Sequence, residues 1–222
     1  MTGTLFLVST PIGNYRDITL RAVDVLKAVD AVICEEYRQG STILKKIDAG
    51  KKDLIQLNEH NEEEVSEEIA REILMGRTYA LISDCGTPAF ADPGTTLVRT
   101  CLAYSIPVVP VPGPSSVMTA ISLSPLPLEE FHFAGFLPRK TEERKPFLQR
   151  LRSLNTPLVI MESPYRLEKL LDEVAGVFSK GQLITLAYNL TMKGEHIFHD
   201  TVSTVQKAVK NRKGEFVLII HR

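Results

Sequence analysis

The apolar run "TYALI" (78–82), followed at once by "SDCGTPAFADPG" (83–94), decides how this chain is read. A short run without polar alternation is what a strand buried on both faces looks like. The loop behind it holds two glycines, two prolines and two aspartates in twelve residues, more punctuation than a plain connection needs. Gly86 permits a positive φ or the close approach of a ligand, and Pro88 stiffens the turn. "ADPG" (91–94) reads as a helix start, with Asp92 as N-cap and Pro93 at the first helical position. Asp84, Gly86 and Thr87 are then left without a local reason. A carboxylate just past a buried strand is costly unless something pairs with it.

Outward from this loop the same alternation continues. "TLFLVS" (4–9), "AVICE" (31–35), "DLIQL" (53–57) and "IPVVPV" (106–111) read as further strands. Leu20, Val23, Leu26 and Val29, then Val65, Ile69 and Ile73, recur at helical spacing between them. This predicts an α/β layer with a parallel-rich sheet. Prolines break the helical pattern in "SLSPLPLEEF" (122–131), so the first domain is expected over 1–121 and a second over 122–222. In the second, strands are expected at 131–136, 157–162, 183–188, 195–199 and 215–220, with helices at 142–153, 165–178 and 201–212. Strands that crowd toward the end predict a mixed sheet.

With 44% hydrophobic and 24% charged residues the 222-residue chain lies in the globular range. Its three cysteines, Cys34, Cys85 and Cys101, are an odd set without CxxC spacing, which favours a reducing compartment over disulfides or zinc. The five histidines are scattered, and no metal is expected. The N-terminus reads as a strand rather than a signal peptide, and no run nears the ~18 apolar residues of a membrane span. A cytoplasmic protein without membrane contact is the expectation. A net charge of −1 leaves no global footprint for nucleic acid. Locally, 59–72 carries seven glutamates against one arginine, and 139–152 six basic residues against two glutamates.

Ligands of open α/β sheets bind outside the carboxyl ends of the strands. Three loops stand there: "STPIGN" (9–14), with Asp17 or Thr19 to cap the next helix, the 83–94 loop, and "PVPGPSSV" (110–117), where Ser115 can cap. None is a GxGxxG or GxxxxGK[ST] fingerprint and none holds a lysine. Backbone groups, hydroxyls and one carboxylate suit a zwitterionic or cationic ligand with an adenosine part, not a nucleotide triphosphate or a nicotinamide dinucleotide.

The blocks "TPIGNYRDITLRA", "SDCGTPAFADPG", "VVPVPGPSSVMTA", "FAGFLPRK" and "MESPYRLEKLL", in this order, resemble the tetrapyrrole methylase superfamily, the class III S-adenosylmethionine-dependent methyltransferases. Within it the chain is most similar to the methyltransferases that modify a cytidine ribose 2′-hydroxyl in small-subunit ribosomal RNA. The resemblance implies two α/β domains with S-adenosylmethionine in the cleft between them, a homodimer, and a substrate that is ribosomal RNA or the assembled small subunit. It assigns cofactor contacts to Pro11, Asp84, Gly86, Thr87, Pro88, Phe90, Ser115 and Ser116 in the first domain. In the second it assigns Ser163, Tyr188, Asn189, Gly214 and Glu215, with Phe216 beside them. Where the rRNA enzymes read "AEDTR", "ARELTK" and "ESPHR", this chain has "CEEYR" (34–38), "AYNLTM" (187–192) and "ESPYR" (162–166). These departures leave two other substrates open, another RNA site or a tetrapyrrole-like small molecule, and also a cofactor-binding protein without catalysis.

A ribose hydroxyl is a weak nucleophile, so a carboxylate is sought as general base. Glu36 and Glu162, each ending an apolar strand, are the candidates, and Arg38 is placed to orient a carboxylate or hold a phosphate. For RNA phosphates the candidates are Arg139, Lys140, Arg144, Lys145 and Arg166, with Tyr15, Tyr37 and Tyr165 as stacking surfaces.

Overall fold

The computed structural model describes residues 2–222, which divide into two compact units, one ending at Ser115 and one beginning at Ser116. In the first, strands β1 (Leu5–Val8), β2 (Ala31–Cys34), β3 (Asp53–Gln56), β4 (Tyr79–Ile82) and β5 (Val108–Val111) alternate with helices α1 (Leu20–Ala28), α2 (Tyr37–Lys46), α3 (Glu62–Leu74) and α4 (Thr95–Ala103). The strands pair in parallel in the order β3-β2-β4-β1-β5. Their residues alternate between two cores. Ala31, Ile33, Tyr79 and Leu81 pack with Ile69, Ile73, Leu97 and Cys101 from α3 and α4. Val32, Cys34, Ala80 and Ile82 pack with Ala22, Leu26, Ile43 and Leu44 from α1 and α2. Cover on both faces is why these strands read as continuously apolar. Pro110 sits in β5, at the sheet edge, where a missing N–H breaks no ladder.

The second unit opens with α5 (Ser116–Ser122) and continues through β6 (His132–Phe136), α6 (Thr141–Ser153), β7 (Leu158–Glu162), α7 (Leu167–Val177), β8 (Leu183–Tyr188), β9 (His196–Thr201), α8 (Val202–Ala208) and β10 (Phe216–Ile220). Its sheet runs β6-β7-β10-β8-β9 and is mixed, with β6 and β7 parallel and the other pairs antiparallel. Leu148, Leu151, Leu170, Leu171, Val174, Val202 and Val205 from α6, α7 and α8 cover one face, over Leu158, Ile160, Ile184, Leu186, Leu218 and Ile220. A boundary at 121/122 would leave α5 with the first unit. Instead α5 buries Val117 and Ala120 and packs against β10.

One local reading is corrected. Helix α4 begins at Thr95, so neither does Asp92 cap it nor does Pro93 open it. Left-handed backbone at Ala89, Ala91 and Gly94 keeps the chain out of helical conformation until that point. Gly94 is the N-cap at φ 131°, where an added Cβ would lie 2.6 Å from Leu81 Cδ2. The capping acceptor comes from elsewhere: Glu62 Oε1, in the first turn of α3, accepts the Gly94 and Thr96 N–H groups at 2.8 Å each. For α1 the cap is Thr19, whose hydroxyl accepts from Ala22 N–H at 3.1 Å.

Candidate active site

The three loops at the carboxyl ends of the first sheet are brought together. Thr10 ties two of them: its hydroxyl donates to the Ser83 carbonyl and its N–H to the Gly86 carbonyl, each at 2.8 Å. Gly86 lies at φ 94°, and a Cβ there would sit 3.5 Å from Ile12 Cγ2 and 3.8 Å from the Pro114 carbonyl, one contact from each neighbouring loop. The Ser9 N–H donates to the Val111 carbonyl at 3.2 Å. Pro11 and Pro88 are buried supports, Asp84, Ser115 and Ser116 are half-buried, and Thr87 and Phe90 are exposed.

Beside this mouth, Glu36 is the N-cap residue of α2 and its N–H donates to Asp84 Oδ1 at 3.3 Å. Glu36 and Arg38 are both exposed. Carboxylates crowd here. Burial, with the charges of Glu36 and Asp92, holds the Asp84 carboxyl above its usual range despite the Glu36 N–H. Burial and then the charges of Asp92, Asp84, Glu36 and Glu59 push Glu35 up in the same way. Burial also raises Asp92, although Ser83 Oγ donates to it at 2.5 Å. No lysine or arginine lies in 9–14, 83–94 or 110–115. Such a group of carboxylates favours a ligand that brings positive charge.

The second unit carries its own cluster at one end of its sheet, where Phe216 is in register with both Glu162 and Tyr188. Asn189, left-handed at φ 49°, donates its N–H to the Glu215 carbonyl at 2.7 Å. Gly214 lies against both residues of the other strand end: an added Cβ would collide with Asn189 Oδ1 and the Tyr188 hydroxyl. Glu162 is buried, and its Oε1 accepts from the Ser163 N–H at 2.6 Å and pairs with the Arg166 guanidinium. Burial raises its carboxyl, and the Ser163 N–H and Arg166 oppose the rise. Glu162 Oε2 and Arg166 Nη1 are buried with no hydrogen-bond partner among the described residues. An acceptor and a donor therefore remain for a polar ligand, beside half-buried Ser163, Asn189 and Gly214.

The expected RNA cations fare unequally. Arg144 is a structural residue: it is buried, binds both Glu173 oxygens at 2.5 and 2.7 Å, and donates to the Pro138 and Arg139 carbonyls at 2.9 Å each. Its place on the inward face of α6 leaves no arm for a phosphate. Arg166 pairs with Glu162 through one nitrogen, and its unpartnered Nη1 is buried rather than open to RNA. Arg139, Lys140 and Lys145 stay exposed, with Lys140 beside Glu143 at 3.6 Å.

One cluster escaped the sequence reading. Thr185 Oγ1 lies 2.9 Å from His199 Nδ1 and 2.7 Å from His221 Nε2, joining β8, β9 and the residue after β10. Burial drives the His221 pKa down to about 4. His196 and His199, three apart on β9, take opposite faces by strand alternation, but pairing across two further strands has no local signal.

With the geometry in place, comparison with known proteins is specific. The family model for tetrapyrrole (corrin/porphyrin) methylases matches residues 4–206. A ribosomal RNA small subunit methyltransferase I from Halalkalibacterium halodurans is 37% identical over 220 residues, 98% of this chain and 75% of its own length. One from Escherichia coli O157:H7 is 39% identical over 222 residues, 98% and 77% respectively. Among solved structures, a diphthine synthase superposes with TM-score 0.77 at 14% identity, over 98% of this chain and 89% of its own. A Thermus thermophilus uroporphyrin-III C-methyltransferase complexed with S-adenosylhomocysteine does so with TM-score 0.70 at 17% identity, over 99% and 98%. The distant structures establish the shared two-sheet fold, and the near relatives and the family match establish descent. The chain belongs to the tetrapyrrole (corrin/porphyrin) methylase family.

Proposed function

We propose that this chain methylates the ribose 2′-hydroxyl of a cytidine in small-subunit ribosomal RNA, using S-adenosylmethionine, as a cytoplasmic homodimer. The observation that carries the chemistry is the convergence of three lysine-free loops on a mouth lined by half-buried Asp84 with Glu35, Glu36 and Asp92. Identity of 37 to 39% to enzymes named for small-subunit rRNA methylation supports the substrate.

When bound, S-adenosylmethionine supplies a methyl group activated by its sulfonium charge. The residues present fit it. Crowded carboxylates at Asp84 welcome an ammonium or sulfonium cation, Thr87 and Ser115 offer hydroxyls, and Phe90 offers an exposed ring. In the second unit the unpartnered Glu162 Oε2 and Arg166 Nη1 leave polar capacity beside Ser163, Tyr188, Asn189, Gly214 and Glu215. A general base must come within about 2.6–3.2 Å of the hydroxyl whose proton it takes. Glu36, exposed at the mouth, meets that requirement of access, while Glu162 is locked by Arg166 and serves as a positioning group. Arg38, one residue into α2, is placed to hold a substrate phosphate or to orient Glu36. Exposed Arg139, Lys140 and Lys145 supply further phosphate contacts.

Calorimetry with S-adenosylmethionine should give saturable binding that Asp84→Asn weakens by about tenfold, the equivalent of one charged hydrogen bond. Mapping 2′-O-methylation of rRNA in a deletion strain should show one lost cytidine mark, restored by this chain and not by Glu36→Gln. An unchanged methylation map would reject the rRNA reading, and a mark restored by Glu36→Gln would move the base elsewhere.

A further inference from the structure

The turn between α8 and β10 holds a basic stretch, Lys210, Arg212 and Lys213, that neither the motifs nor the proposed chemistry uses. It is not a loose loop. Asn211 is left-handed at φ 62°, and its N–H donates to Glu168 in the first turn of α7. Arg212 lays its guanidinium over the Phe198 ring, 5.6 Å from the centroid. Lys213 Nζ stands 5.8 Å from the centroid of Tyr165. Pro164, Tyr165, Leu167 and Glu168 on one side, and residues 211–213 on the other, enclose a groove of about 240 Å³.

Tyr165 is the feature that needs a reason. It is 81% exposed, yet it sits in a short 3-10 turn, Pro164–Arg166, directly behind the anchored Glu162. Fixed backbone and an open ring make a stacking platform at low entropic cost. An aromatic face beside an ammonium and a guanidinium is how proteins hold unpaired nucleotides: the base stacks, and the cations take the backbone phosphate. Glu168 accepts the Asn211 N–H and so fixes the turn, and its single charge stands against the three cations Lys210, Arg212 and Lys213. The groove is flanked in sequence by Ser163 and Gly214, members of the second unit's candidate cluster.

We propose that this groove holds one unpaired nucleotide of the RNA substrate, its base against Tyr165 and its phosphate at Lys213 with Arg212. The assignment rests on the RNA methyltransferase reading and extends it to a residue pair that holds the substrate strand.

The test uses the full chain, a labelled single-stranded oligocytidine in fluorescence anisotropy, and small subunits lacking the modification in a methyl-transfer assay. Tyr165→Ala should weaken oligocytidine binding roughly five- to hundredfold and raise KM for subunits while leaving S-adenosylmethionine affinity unchanged. Tyr165→Phe should bind as wild type, since only the ring is required. Lys213→Ala should lower the slope of log affinity against log salt by about one. Wild-type affinity and KM in Tyr165→Ala would overturn the assignment, as would phosphate-only behaviour, in which Lys213→Ala weakens binding and Tyr165→Ala does not. Tyr165-dependent binding without methyl transfer to any RNA would keep the groove and reject the methyltransferase reading. Absence of RNA binding by wild type would reject both the groove and the RNA substrate.

Discussion

Arg144 and Glu173 bury a charge pair with side chains 2% and 12% exposed. Removing one member of such a pair strands the other in a poor solvent, typically at a cost of about 3–5 kcal/mol. Arg144→Met should therefore lower the unfolding free energy measured in urea by an amount in that range. The double variant Arg139→Glu with Lys140→Glu should keep the wild-type midpoint and cofactor affinity but weaken RNA binding. Equal loss of RNA and cofactor affinity would remove the phosphate role from 139–140. The sequence did carry the distinction: Arg144, Leu148 and Leu151 recur at i, i+4 and i+7, the inward stripe of α6. Counting charge along 139–152 hides that stripe, because it ignores which face each residue takes. His221 makes the second residue-scale test. Its folded pKa of about 4 lies below the ordinary 6.5, so the unfolded chain takes up the proton first as pH falls. Its contribution is full above pH 6.5 and is lost on the way down to about 4, roughly 3 kcal/mol across the window. The difference between wild-type and His221→Gln stability curves should show that acid loss, and parallel curves would discount it.

At the scale of elements, Glu62 links α3 to α4 by accepting two N–H groups at the start of α4, those of Gly94 and Thr96. A cap residue is worth about 0.5–2 kcal/mol. Glu62→Ala should cost that amount in chemical denaturation, whereas Glu63→Ala and Glu64→Ala, on the exposed face, should stay within about 0.5 kcal/mol. Equal effects at all three would mean that the acidic run acts only through its summed charge. The strands and most helices were legible because their apolar spacing is local. Thr19 as a cap was legible for the same reason, being three residues from the N–H it accepts. "ADPG" misled because its local rule is sound, yet left-handed backbone at Ala89 and Ala91 delays the helix and a carboxylate thirty-two residues away does the capping. Thr10 and Gly86 came together as the loop positions in an open α/β sheet require. The Glu162–Arg166 lock was less visible, since two strand-end charges look equally available until burial is known.

For the whole molecule, a net charge of −1 means that RNA is not drawn in by a general field. Attraction must come from local cations, and affinity should fall with salt in proportion to the few phosphates contacted. Sedimentation at micromolar concentration should give twice the monomer mass, and a single-chain species would reject the homodimer. The identity of the fold was readable end to end because five ordered blocks span both units, whereas the base and the RNA path depend on burial that no block encodes.

The division at Ser115/Ser116 falls inside "PGPSS", within one of the three candidate ligand loops and not in a spacer. The two halves are thus not interchangeable cassettes. A recombination breakpoint at the structural seam would splice a turn from two parents and scramble Gly113–Ser116, and one behind α5 would part that helix from β10, so viable chimeras of this family should draw on parents that match at both places. Heredity, on this view, treats the loop, the helix after it and the strand that helix packs on as a single unit of exchange.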